Sequence, residues 1–78
     1  MHPDDLLARV RARPFVPFRL VVSEGGSYEV RHPDMIVVAR RHVVVGVPAK
    51  DNQNLAETTH MVALIHVVRI EPLESAPV

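Results

Sequence analysis

Five histidines stand among the 78 residues, and histidine is the side chain here best suited to hold a metal. A zinc site needs three or four N, S or O ligands converging tetrahedrally at about 2.0–2.3 Å. The chain has no cysteine, which removes thiolate ligands, disulfides, iron–sulfur clusters and thiol nucleophiles together. His32 and Asp34 are two positions apart and His60 and His66 six, and neither spacing is that of a helix-face or knuckle site. No metal and no cofactor is expected. His32 reads instead as a turn residue whose ring bonds backbone freed by Pro33.

Nucleophilic catalysis needs a hydroxyl activated by a base that is itself oriented. Ser23 and Ser27 fall in a turn, and Ser75 lies near the end of the sequence. Thr59 adjoins His60, but strand neighbours point to opposite faces; Thr58 shares a face with His60 only as any i,i+2 pair does. Glu71 and Glu74 flank a proline and form no acid–base pair. Gly25-Gly26 precedes a strand, not a helix N-terminus, so it is no phosphate cradle. No catalytic residues are expected, and the chain reads as a non-enzyme.

Phosphate contacts to nucleic acid are within the reach of Arg9, Arg11, Arg13, Arg19, Arg40 and Arg41, and Tyr28 or Phe18 could stack a base. Two observations oppose this. Nine basic residues are balanced by nine acidic ones, and backbone affinity depends on released counterions. Phe18 and Tyr28 also fall on the apolar face of a hairpin, where they fill a core. No apolar run approaches the ~20 residues of a membrane span, and the first residues are charged, unlike a signal peptide. A cytoplasmic protein with no membrane partner is expected.

These side chains must be positioned by a small fold. A chain of 8.7 kDa suits one domain over residues 1–78, burying about 60–65% of the unfolded surface. Residues 3–13, PDDLLARVRAR, read as a helix. Pro3 suits the first position, Asp4 and Asp5 the first turn, and Arg9, Arg11 and Arg13 the negative end. Leu6, Leu7 and Val10 make its apolar stripe, and Pro14 stops it. Too short to be stable alone, it must dock on something.

From residue 15 to 72 the pattern is that of β-strands. Phe18, Leu20 and Val22 alternate with polar residues, as do Tyr28 and Val30. A two-residue Gly25-Gly26 loop would set apolar against charged side chains. A three-residue loop, Ser23-Glu24-Gly25 with Gly25 left-handed, pairs Phe18 with Val30, Leu20 with Tyr28 and Arg19 with Glu29. His32-Pro33-Asp34 breaks the ladder. Met35–Ala39 and Val43–Val47 make a second hairpin around Arg40-Arg41, residues 49–58 a long loop, and Thr59–Ala63 and Val67–Glu71 the last strands around a tight Leu64-Ile65-His66 crossover. Residues 73–78 are expected to be loose. The fold expected is mainly β: a short N-terminal helix followed by a five-stranded, strongly bent antiparallel sheet or small barrel.

That element order resembles the SH3-like and Sm-like small barrels. The stretch Met61-Val62-Ala63-Leu64-Ile65-His66-Val67-Val68-Arg69-Ile70-Glu71-Pro72 is similar to the end of the Sm-like family, where a strand, a 3₁₀ turn and a last strand end in proline. Glu24-Gly25 sits where that family has its Asn-Gly turn. The family includes a bacterial RNA chaperone, so the resemblance implies a ring of copies binding single-stranded RNA. Leu64 and Ile65 stand where the family has its lysine–histidine pair, with His66 one position on. Separately, Arg13-Pro14-Phe15-Val16-Pro17-Phe18-Arg19-Leu20, followed by Val30-Arg31-His32-Pro33-Asp34, resembles short bacterial proteins.

The second hairpin is apolar on both faces. With Arg40-Arg41 as its loop, Ile36, Val38, Val43, Val45 and Val47 share one face and Met35, Val37, Ala39 and Val44 the other. A small barrel has one interior, so the second face needs the helix or another subunit as cover. The expected function is therefore a non-catalytic homo-oligomeric interaction or scaffold module, with Met35, Val37 and Val44 at the interface. The alternative is an Sm-like single-stranded RNA binder using Arg40, Arg41, Arg9 and Arg13.

Overall fold

The computed structural model describes residues 1–73. Helix α1 (Pro3–Arg11) starts from His2, whose Nδ1 accepts the Asp4 backbone N–H at 3.1 Å. Asp4 and Asp5 occupy the first turn, and Arg9 and Arg11 the last, matching the helix dipole. It ends two residues earlier than the sequence reading placed it. Ala12 is already extended, with ψ 140°, and Pro14 disfavours the helical region for Arg13. Arg13 instead turns its guanidinium back onto the carbonyls of Val10 and Ala12.

β1 (Phe18–Val22) and β2 (Ser27–Val30) form the first hairpin in the three-residue-loop register, with Phe18 opposite Val30, Arg19 opposite Glu29 and Leu20 opposite Tyr28. Gly25 has φ 94° and donates to the Val22 carbonyl. A Cβ there would meet nothing within 4 Å, so Gly25→Ala isolates the backbone strain of a left-handed residue. It should lower unfolding free energy in urea by about 1–2 kcal/mol. Gly26→Ala, where a Cβ makes only ordinary contact with Val22 Cγ2, should cost much less. Reversed magnitudes would contradict this loop.

After β2 the chain enters a 3₁₀ turn (Pro33–Met35) and re-emerges as β3 (Ile36–Val38). β3 pairs with β4 (His42–Pro48), with Ile36 opposite Val45 and Val38 opposite Val43, as the alternation predicts. β5 (Ala56–Ala63) runs along the other side of β4. A 3₁₀ turn over Leu64–His66 then leads into β6 (Val67–Pro72), which returns to β1.

Two expectations are corrected here. Among the described residues there are six strands, not five, and they form two three-stranded antiparallel sheets, β2-β1-β6 and β3-β4-β5, not a closed barrel. Pro33 explains both. It has no N–H to give a ladder, so the break expected at His32-Pro33-Asp34 separates β2 from β3 as two strands, and they lie in different sheets. The long loop is also shorter than expected, because β5 begins at Ala56. The polar run Ala56-Glu57-Thr58-Thr59-His60 is held extended by pairing with β4 despite its low apolar content. What remains of the loop is closed by Ala49 donating to Leu55 and by an Asn52 side chain accepting the Asn54 N–H. The expectation of a loose segment bears, past Leu73, on residues outside the described range; the Leu73 N–H itself donates to the Pro17 carbonyl.

The core lies between the sheets. Phe18, Leu20 and Val30 meet Ile36, Val43, Val45 and Val62, with Leu64 and Val67 at the corner. Leu6 of α1 enters the same cluster fully buried, and Val10 packs on its margin. The helix thus packs on the inner apolar set, and the outer face of β3-β4-β5 keeps exposed apolar side chains at Val37 and Met61.

Candidate interaction surface

Strand register decides which side chains meet on that outer face. Val37 stands opposite Val44, and Val44 opposite Met61, so the three form one row across all three strands. Their chain neighbours Ile36, Val43, Val45 and Val62 point into the core, which sends the row outward. Val37 is 63% and Met61 71% exposed, with Val44 half-buried between them. Alternation places His42, Gly46, Thr59 and Ala63 on the same face, and none of them is a carboxylate, lysine or arginine.

Met35 lies at the edge of this face, buried in the 3₁₀ turn. With Val37, Val44, Gly46 and Thr59 it lines a shallow hollow of about 190 Å³. Gly46 makes room for it: a Cβ there would stand 3.0 Å from Met35 Sδ and 3.4 Å from Ala56 Cβ. The structure therefore brings Met35, Val37 and Val44 onto one face and adds Met61 and Gly46. Met61 was missed because its strand partner depends on long-range pairing. Gly46 had a readable signal, since a glycine inside an apolar strand marks a close approach. Two more apolar side chains, Ile65 and Val68, stand exposed at the corner between β5 and β6.

The outer face of the other sheet has the opposite chemistry. Arg19 at its centre bridges Glu29 on β2 and Glu71 on β6, each at 3.4 Å. Arg31 adds a 3.0 Å contact to Glu29, and Arg69 a 2.7 Å contact to Glu71. The guanidinium hydrogen bonds, Arg31 first for Glu29 and Arg69 first for Glu71, lower both carboxyl pKa values. A lowered folded-state pKa contributes stability above the unfolded value, and that stability is lost as pH falls through the folded one. Urea unfolding should therefore weaken below about pH 4.5, the ordinary value for these groups. The doubly substituted Glu29→Gln, Glu71→Gln chain should show a shallower acid limb; an unchanged limb would exclude the ladder as its source.

The four arginines of the nucleic-acid alternative are exposed, Arg40 and Arg41 side by side in the β3–β4 turn and Arg9 and Arg13 in and just beyond the last turn of α1. Arg40 borders a hollow beside Pro3, Asp4 and Leu7. Arg9 borders another, with Met1, Asp5 and Ile70. Arg13 is occupied by the end of the helix, and Arg41 lies in the β3–β4 turn, its carbonyl accepting from Leu64. Sequence reasoning also missed a hydroxyl–imidazole pair: Ser23 Oγ lies 3.4 Å from His66 Nδ1. Among the described residues His66 makes no second side-chain hydrogen bond that would orient it, so the pair ties β1 to the corner without the third group that activation needs. His60 packs its ring on Tyr28, centroids 5.3 Å apart.

Among the described residues no three His, Asp or Glu side chains are grouped to hold a metal, and no helix is long and apolar enough to cross a membrane. Compared with known proteins, the chain matches no family model, no curated protein and no solved structure.

Proposed function

We propose that the protein is a non-catalytic interaction module that associates with further copies of itself through the outer face of β3-β4-β5. The observation that carries this reading is the uncharged row Val37–Val44–Met61, with Met35 beneath it. Contiguous apolar surface of this kind marks contact sites in soluble proteins. A second copy is the partner that fits. The row itself carries no charge, the carboxylate of Asp34 stands exposed at its margin, and the chain's formal net charge of zero means that copies do not repel one another. A two-fold axis through the central Val44 would set the row against itself, the isologous arrangement that closes without open growth. The resemblance to the Sm-like family implies a ring of copies in place of a two-fold pair.

Light scattering on the wild type should give a mass of two or more chains at high micromolar concentration. Val44→Lys should shift it toward 8.7 kDa, since a lysine buried against its own copy is costly. Met61→Lys, at a site more exposed within the chain, should do the same with melting temperature kept. A wild type that runs as a clean monomer would end this reading. So would variants that lose melting temperature without losing mass. Single-stranded RNA retained at physiological salt, and released on replacing Arg40 and Arg41, would favour the alternative instead. Asp5 shares a hollow with Arg9, Asp4 shares one with Arg40, and Arg13 bonds the helix end, which is why that alternative is not adopted.

A further inference from the structure

The core is uncovered at one end. Along β4 the inward-facing Val43 and Val45 are fully buried, yet Val47, next on the same face, is 40% exposed. On β5 the buried Val62 gives way to the exposed His60, and on β2 the buried Val30 gives way to the half-buried Tyr28. These positions surround a cavity of about 400 Å³ that opens to solvent. Its size is that of a binding site.

The lining reveals what runs beside it. Ser27, Tyr28 and Glu29 are consecutive on β2, and residues 45–48 are consecutive on β4. Consecutive residues of a strand point to opposite faces, so a cavity that meets all of them follows the strand's edge. Among the described residues both edges lack a strand partner there. β2 is the outer strand of its sheet, bonded only to β1. On β4 the pairing with β3 stops at Val45, because the 3₁₀ turn at Pro33–Met35 carries the chain away. Backbone donors and acceptors on an open edge repeat at strand spacing, and another extended chain matches them.

We infer that this cleft is a docking site for an extended peptide segment of another protein, added as a strand along the free edge of β2. Its alternate side chains would enter the cavity over Val45, Val47 and Pro48, against the Tyr28 and His60 rings. The charges on the rim already answer each other: Arg31 donates through Nε and Nη2 to one oxygen of Glu29, and Arg19 to the other. The cleft therefore selects uncharged, alternately apolar segments. β2 spans four residues, which sets the length matched at about 13 Å or four to five peptide residues. This site adjoins the self-association face, since Met35 and Gly46 border both, but its edge on β2 and its Tyr28 and His60 walls are not part of that face and the inference does not depend on it.

The probe is the capped peptide acetyl-Thr-Val-Thr-Val-Thr-amide, titrated into the ¹⁵N-labelled wild-type chain and into Met61→Lys. Saturable amide shifts confined to residues 27–31 and 45–47 are expected in both. Two further peptides, N-methylated at alternate amides in either register, test the mechanism. At least one should bind about tenfold more weakly, the change that loss of one or two backbone hydrogen bonds produces. No saturable shift at millimolar peptide would overturn the inference. Equal binding of all three peptides would overturn it too, since apolar adsorption alone would then suffice. Shifts centred on Val37 and Val44 would place the peptide on the other face and likewise refute it.

Discussion

Leu6→Ala should destabilise the protein by about 2–5 kcal/mol, the range for emptying a fully buried leucine site. The whole stability expected of a chain this long is only roughly 4–12 kcal/mol. The effect should also be structurally specific. Nine residues of helix are not stable in water by themselves, and Leu6 is the one residue of α1 fully enclosed by the core. Losing it should therefore detach the helix before the sheets melt, visible as a fall in helical circular dichroism at lower urea than the loss of strand signal. The half-buried Leu7, replaced by alanine, should cost less. Equal costs at the two positions would mean that α1 does not dock through Leu6.

Gly46→Val is the second substitution with a large expected effect. Valine has the better strand propensity, so local preference alone predicts a gain. The packing predicts a loss of about 1–3 kcal/mol, because the new Cβ and its methyls would press on Met35 Sδ and Ala56 Cβ. The sign of the change separates these two causes. Met35→Ala in the same chain should recover part of the loss, giving a non-additive cycle between residues in contact. Additive costs would show that Gly46 is not there to seat Met35.

What could be read from the sequence was what depends on short separations. The first hairpin register follows from matching apolar faces across a three-residue loop, and the second from the period of Ile36, Val38, Val43 and Val45; both are found as expected. The crossover at Leu64–His66 was legible for the same reason. Pro33 was recognised as a break, but its consequence was not. Whether a broken strand stays in one curved sheet or changes sheets is decided by partners far away in the chain. The start of β5 was misplaced because Ala56, Glu57 and Thr58 carry no apolar alternation and are extended only through β4. The apolar row was two-thirds visible, as Val37 and Val44 belong to a local hairpin. Met61 joins them through a pairing no local pattern announces, and the cleft beside β2 is lined by strands of both sheets that are far apart in sequence.

The return of β6 to β1 has a consequence for how the protein is made. Arg19 bonds Glu71 across 52 positions of sequence, so β1 has one edge satisfied early by the adjacent β2 and the other satisfied only when β6 arrives. At typical rates of synthesis that interval is about 3–10 s. Throughout it, Phe18, Leu20 and Val22 sit on a two-stranded ribbon with an open side, and the strands of the sheet behind it are complete only once β5 has been made. An isolated hairpin is marginal in water, and such an edge recruits other chains. Nascent chains on neighbouring ribosomes would then meet at their least protected moment, and β6, the last strand of the described fold to emerge, ends the exposure.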